Sequence, residues 1–190
     1  MERVELADSL RQGQALIQQL EAESGVTLTE CYQCGKCAAG CPVAFAMDYT
    51  PRQIIRLLQL GLGEEAIKSH TPWLCASCQA CYTRCPREVN LPRLMEAVRQ
   101  EARRRGVIKE KNVEIFDRAF LDSVKRYGRS HEMGIIIQSN LQSMQPFKDV
   151  MLGPPMFFKG KISPLPSKIK DVANVKEIFA RARAKRGNKH

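Results

Sequence analysis

The sequence has no aliphatic run longer than three residues, as in Ile135-Ile136-Ile137, far short of the ~20 apolar residues that cross a bilayer. Nor does it open on a basic end followed by an apolar stretch. Met1-Glu2-Arg3-Val4-Glu5 is polar and acidic, so a secretory leader is not expected. Histidine is scarce: His70, His131 and His190 are the whole set. None has partners spaced for a triad or a metal site, so surface or packing roles are expected. There is no Walker A phosphate loop. Gly61, Gly63 and Ala66 fit G-x-G-x-x-A, but they follow a helical pattern with no βαβ unit around it, so the segment reads as a helix stop and restart. Acidic residues are outnumbered 20 to 30, giving a net charge of +10. The excess gathers at Arg103-Arg104-Arg105 and in Arg181, Arg183, Lys185, Arg186 and Lys189. Such charge attracts nucleic acid or anionic membranes, or simply complements the C-terminal dipoles of solvated helices. With no nucleic-acid motif beside it, the second reading stands. What remains is 190 residues at 44% hydrophobic and 26% charged, ordinary values for a globular chain. The expectation is a soluble, cytoplasmic protein with no membrane span.

Cysteine is what the sequence has in plenty. Cys31, Cys34, Cys37 and Cys41-Pro42 form C-x2-C-x2-C-x3-C-P, and Cys75, Cys78, Cys81 and Cys85-Pro86 repeat it with the same spacing, using all eight cysteines. Three thiolates two residues apart lie on a loop that wraps three corners of a cube, each sulfur reaching a different iron. The fourth, before Pro, turns away, and in two-cluster ferredoxins of this pattern it ligates the other cluster. Applied here, one [4Fe–4S] cluster takes Cys31, Cys34, Cys37 and Cys85, and a second takes Cys75, Cys78, Cys81 and Cys41. Gly35 and Gly40 leave room and backbone N–H groups near the sulfurs, which stabilise an anionic cluster. Structural zinc prefers C-x2-C pairs, four ligands to an ion. A disulfide framework belongs to small secreted chains, and catalytic thiols do not come as two matched sets. Lys36, Arg84 and Arg87 are the cations nearest the ligands in sequence; they either raise the cluster potentials or are solvated. Trp73, Tyr32 and Tyr82 flank the motifs and are expected to shield the clusters from water.

Around the motifs the periodicity is helical throughout. Leu6, Leu10, Gly13, Ile17 and Leu20 make one face of a helix that stops near Ser24-Gly25. Whether that face meets this chain or a partner is open, with a partner slightly favoured. Thr50-Pro51 starts a helix carrying Ile54, Ile55, Leu57 and Leu58 to Gly61, a short one follows near 64–69, and Pro92-Arg93 opens another with Leu94, Met95, Val98 and Ala102 on its buried stripe. The insertion between the motifs points to an all-α, alpha-helical ferredoxin rather than the compact strand-containing type. Downstream, Val113, Phe116, Phe120, Val124 and Tyr127 mark a helix ended by Gly128, and another is expected over 132–141. The segment 146–166 is rich in Pro, Gly and aromatics and is expected to dock along a surface. A last helix over 171–185 presents Val172, Val175, Ile178 and Phe179. The divisions expected are an N-terminal helix at 1–25, the ferredoxin domain at 26–107 and a helical extension at 108–190.

Cys31-Tyr32-Gln33-Cys34-Gly35-Lys36-Cys37, Cys41-Pro42, and Trp73-Leu74-Cys75 through Cys85-Pro86 resemble the iron–sulfur C subunit of heterodisulfide reductase over residues 23–107, as does Gly25-Val26-Thr27 before the first Cys. His131-Glu132-Met133-Gly134 and Phe157-Phe158-Lys159-Gly160-Lys161 are similar to longer, bacterial-type versions. The resemblance implies an electron relay, in which a flavin-containing partner passes electrons through two clusters to a disulfide-reducing partner. The residues agree with a passive role, because every cysteine is needed as a ligand and none is left for disulfide exchange. No flavin or nicotinamide fold is indicated, so the chain itself is not expected to be catalytic. The other candidates are the iron–sulfur subunit of a sulfur-oxidising heterodisulfide reductase-like complex or of a glycerol-3-phosphate or glycolate dehydrogenase. Remotest is a cluster-containing nucleic-acid-binding protein, suggested by the charge alone.

Overall fold

The structure, a computed structural model, describes residues 6–146, 148, 153–160, 163 and 165–187. His190, Lys161, Pro164, Lys189 and the side chains of Leu6, Leu10, Phe157, Lys185 and Arg186 therefore lie outside the described residues. The chain divides into two units, residues 1–110 and 111–190. Among the described residues all regular structure is helical, with no strand, as the alpha-helical ferredoxin expectation requires.

The first unit contains α1 (Leu6–Ser24), α2 (Lys36–Ala39), α3 (Pro51–Gln59), α4 (Gly63–Lys68), α5 (Thr71–Leu74), α6 (Ala80–Thr83) and α7 (Leu91–Arg104). Its core is aliphatic. Ile54, Ile55 and Leu58 of α3 meet Leu94, Met95, Val98 and Ala102 of α7 in one buried cluster with Leu28, Ile67 and Trp73. Each such aliphatic side chain contributes about 1.5–3 kcal/mol when fully buried. The helix starts are written in the sequence. Thr50 and Gln53 form a capping box ahead of Pro51, and Asn90 caps α7 by accepting from the Arg93 N–H at 3.2 Å, so that helix starts one residue before Pro92.

The N-terminal helix corrects an expectation. Its described apolar residues do not wait for a partner: Leu16 and Leu20 are buried in this unit's own core, with α1 lying on α7 and α4. The G-x-G-x-x-A segment is where it docks. A Cβ on Gly13 would sit 2.2 Å from the Gly61 carbonyl oxygen, and one on Gly63 would sit 2.6 Å from Leu16 Cδ2. The glycines therefore serve a close helix crossing, at the stop and restart expected.

The arginine run makes contacts inside the molecule, while Arg104 and Arg105 stay exposed at the helix end, as the solvated reading expects. The Arg103 guanidinium lies 5.3 Å from the centre of the Trp73 ring. Arg104 bridges Glu23 of α1 and Glu101 of α7, each at 2.7 Å. Arg105 pairs with Glu101 at 2.6 Å and with Glu64. Gln19 adds a 3.0 Å bond to Glu101, so α1 and α7 share one polar network over an acid only 6% exposed. Burial alone would raise the Glu101 carboxyl, but hydrogen bonds from Arg105 and Arg104 outweigh it and hold the group below its usual range.

In the second unit α8 (Lys111–Tyr127) meets α9 (Glu132–Gln142) and α11 (Val172–Gly187), with a short α10 (Gly153–Phe158) between the latter two in sequence. The expected stripe on α8 holds only in part: Val113, Val124 and Tyr127 are half-buried, but the two phenylalanines are not. Phe116 and Phe120 are 50% and 42% exposed, while Ala119 and Ser123 are buried. Ser123 Oγ accepts from the His131 N–H at 2.9 Å. The buried positions of α8 are Glu114, Ala119 and Ser123, none of which a hydrophobic stripe of large side chains would mark. His131 has the packing role expected: its Nδ1 accepts from the Gly134 N–H at 3.1 Å and caps α9. On α11, Val172, Val175 and Phe179 are half-buried, but Ile178 is 62% exposed.

Glu101→Gln is expected to cost about 1–3 kcal/mol, because it loses charge-assisted bonds from two arginines at a buried site. Since the Glu101 carboxyl is held low, its stabilisation is full above the ordinary carboxylate range and is lost as pH falls through the lowered value. Urea unfolding across acidic pH should therefore show a flatter dependence in the variant, and equal slopes would reject the network.

Candidate metal centre

The two cysteine loops have the same backbone. In the first, Gln33 and Gly35 take positive φ values of 64° and 83°; in the second, Ser77 and Gln79 do so at 51° and 65°. Each loop then enters a four-residue helix, α2 or α6, that carries the third cysteine, Cys37 or Cys81. Left-handed backbone costs non-glycine residues about 1–2 kcal/mol, yet three of the four positions are not glycine. The chain accepts that cost to set three thiols around one cavity.

Two cavities result, one at each cysteine loop. Cys31, Cys34, Cys37 and Cys85 line the first, with Gln33, Lys36 and Arg52 beside them. Cys41, Cys75, Cys78 and Cys81 line the second, with Val43, Met47, Pro51 and Met95. Leu91, at the start of α7, lines both. The fourth cysteine of each motif thus lies with the three thiols of the other. All eight cysteines are free. Among the described residues no three ligand side chains converge closely enough to hold a single metal ion; the thiols surround each cavity instead.

Burial differs along each set. Cys34 and Cys78 are exposed, Cys37 is buried, and the others lie between. Burial pushes the thiols of Cys37 and Cys75 above the usual thiol range and that of Cys81 to about 11. Without metal these sulfurs carry protons at neutral pH, so iron must displace protons as it binds. Backbone and side-chain donors already face the sulfurs: the Val89 N–H lies 3.3 Å from Cys85 Sγ, and Gln33 Nε2 lies 3.6 Å from Cys31 Sγ. Eight unpaired thiols around two cavities, with amide donors aimed at sulfur, are a donor set that fits iron–sulfur clusters.

Sequence reading missed two supports. The first is Gln59, on the last turn of α3. Its amide N–H groups donate to the carbonyls of Leu28 and Cys31, both at 2.9 Å, and its oxygen accepts from Gln33 at 3.2 Å. The second is Asp48, whose carboxylate accepts from the N–H groups of Tyr49, His70 and Thr71 at 2.9, 2.8 and 3.0 Å and from the Thr71 hydroxyl at 2.7 Å. That ties the segment after Cys41 to the turn that delivers Cys75. Burial works to raise the Asp48 carboxyl, but these donors outweigh it and hold it low. Nothing in local periodicity marks either residue, because the partners that matter are 22–31 positions away.

Of the cations named from sequence, Arg84 lies across Gly40, where a Cβ would come within 2.5 Å of its Nη1, and Arg87 pairs with Glu30. Lys36 lines the first cavity, as does Arg52, which proximity along the chain does not reveal. The aromatic shield is only partly there. Trp73 is buried, with an indole N–H that has no acceptor, but Tyr32 and Tyr82 are 61% and 37% exposed.

Comparison with known proteins falls on the same cysteine-bearing segment. The family described as a 4Fe-4S dicluster domain matches residues 27–89, a span that holds all eight cysteines. The chain is similar to the iron-sulfur C subunit of the CoB--CoM heterodisulfide reductase of Methanopyrus kandleri, at 43% identity over 86 residues, 45% of each chain. It is 38% identical over 89 residues to the C subunit of the H(2):CoB-CoM heterodisulfide,ferredoxin reductase of Methanothermobacter marburgensis, covering 47% of this chain and 48% of that one. It is 32% identical over 104 residues to the iron-sulfur C 2 subunit of the CoB--CoM heterodisulfide reductase of Methanocaldococcus jannaschii, covering 55% and 53%. The chain thus spans about half the length of the curated relatives it matches. No helix among the described residues is long and apolar enough to cross a membrane.

Gln59→Leu leaves the carbonyls of Leu28 and Cys31 without their donor and is expected to cost about 1–3 kcal/mol. The readout is a lower urea midpoint for anaerobically purified protein, and an unchanged midpoint would show that Gln59 is no clamp.

Proposed function

We propose that this chain is a cytoplasmic electron-transfer subunit of a heterodisulfide reductase-type complex, holding two [4Fe–4S] clusters. Cys31, Cys34, Cys37 and Cys85 hold one, and Cys75, Cys78, Cys81 and Cys41 hold the other. The observation that carries this reading is the division of eight free thiols between two cavities, three from one motif and one from the other at each. Similarity to reductase subunits named as iron–sulfur proteins supports it from a separate direction.

When bound, the clusters supply one-electron redox chemistry. The rest is work for the chain's own residues. The repeated loops fix the thiolates, and the amides of Gln33 and Val89 orient toward sulfur. Leu91, 2% exposed, forms the wall common to both sites and keeps water out between them. With all eight thiols committed to iron, none attacks a disulfide, so substrate chemistry falls to other subunits. In this reading a flavin-containing partner delivers electrons and a disulfide-reducing partner takes them. The N-terminal helix at 1–25 completes the domain at 26–107, and the extension at 108–190 docks on the partners, offering Phe116, Phe120 and Ile178 as exposed apolar contacts.

Anaerobically purified protein is expected to contain about eight irons and about eight sulfides; about four of each would reject one site. Cys85→Ser should damage the cluster of Cys31, Cys34 and Cys37 and spare the other, read by electron paramagnetic resonance after dithionite reduction. Damage confined to the second cluster would overturn the crossed assignment.

A further inference from the structure

The two cavities differ in what faces them, although their backbones match. Backbone N–H groups serve both sets of sulfurs: Ala38 at Cys37, Ser77 at Cys75 and Tyr82 at Cys81. The difference lies in the side chains. Around Cys31, Cys34, Cys37 and Cys85 stand two cations, Lys36 and Arg52, and one amide donor, Gln33, aimed at Cys31 and gripped by Gln59. Neither Lys36 nor Arg52 is in an ion pair among the described residues. Around Cys41, Cys75, Cys78 and Cys81 the other lining residues are Val43, Met47, Pro51, Ala76, Leu91, Pro92 and Met95, without a charged or amide side chain. The cation whose charge reaches Cys75 is Arg99, and it is bound at 3.0 Å to Glu96, whose opposite charge offsets its field. Arg84 lies against Gly40, beside Cys41, and is itself next to Cys85 in sequence, so it favours neither set.

Adding an electron to a cluster adds negative charge. Nearby cations and N–H donors to sulfur stabilise that charge, and an apolar wall of low dielectric opposes it. Resting on the two-cluster reading above, we infer that the site of Cys31, Cys34, Cys37 and Cys85 holds an electron more tightly than the site of Cys75, Cys78, Cys81 and Cys41, so that electrons run through the chain from the Cys75 side to the Cys31 side. The step is a single-electron exchange. The donor cluster is oxidised by one electron and the acceptor reduced by one, with no bond made or broken and no proton moved. The electron comes from a reduced redox partner on the Cys75 side and goes to an oxidised one on the Cys31 side. The partner that accepts electrons is therefore the one that meets the Cys31 side.

The test is a stepwise dithionite titration of the anaerobically purified holoprotein, with each paramagnetic signal followed separately. Lys36 and Arg52 are exposed non-ligands, so Lys36→Gln and Arg52→Gln leave the thiolates in place. The double variant should lower the midpoint of the signal that appears first and leave the later one where it was. The expected change is about three- to tenfold in the electron's partition between the sites, on the order of 30–60 mV at 59 mV per tenfold for one electron. Arg52→Lys, which keeps the charge, should hold the first midpoint near its original value. A shift of the later signal alone, an equal shift of both, or no shift overturns the inference. An iron content near four, seen before any variant is titrated, overturns the two-cluster reading itself and this inference with it.

Discussion

Everything in the first unit is arranged around one exchange: the fourth cysteine of each motif faces the cavity of the other. Cys41 sits with Cys75, Cys78 and Cys81, and Cys85 with Cys31, Cys34 and Cys37. An exchange of this kind ties two local loops into one object, since each quartet is completed by a residue from the distant copy of the motif. In the proposed reading, cluster binding is then part of the folding free energy of the whole unit, because the thiols of each quartet come together only when both halves do.

The helices exist to keep that exchange in register. α3 and α7, each following one cysteine set, bury Ile54, Ile55, Leu58, Leu94, Met95 and Val98 in one core, on which α1 also lies. Packing of this sort is non-directional and fixes distance better than orientation. Orientation comes from the few polar clamps: Gln59 on the first loop, Asp48 on the turn before the second, and the arginines of α7 reaching Glu23 and Glu101. Of the positive charge that resembles a binding surface in the sequence, Arg103, Arg104 and Arg105 are engaged within this unit.

Much of the fold is legible in the sequence. Thr50-Pro51 is a local signal, as is Pro92 at the start of α7, and the apolar stripes of α3 and α7 follow the 3.6-residue period that any helix with one buried face must show. The stripe of α8 misleads for a definite reason. Its buried residues are Glu114, Ala119 and Ser123, while Phe116 and Phe120 are largely exposed, and hydrophobic periodicity registers large apolar side chains rather than small or polar ones. The N-terminal helix shows the same limit, for periodicity reveals an apolar face but not what covers it.

The cysteine set is readable from spacing alone, because three thiols two residues apart followed by a Cys-Pro are a strictly local constraint on how a loop can present sulfur. Which side chains surround each set is another matter. Arg52 of α3 lines the first cavity and Gln59 of the same helix holds its loop, while Met47 and Met95 reach the second from either side of the second motif. Linear order thus determined the thiol loops and the helices, since both depend on neighbours within a turn or two. Tertiary structure alone decided the polarity of each cavity and the clamps that hold it, since electrostatic environment depends on distance in space, which the helix crossings set.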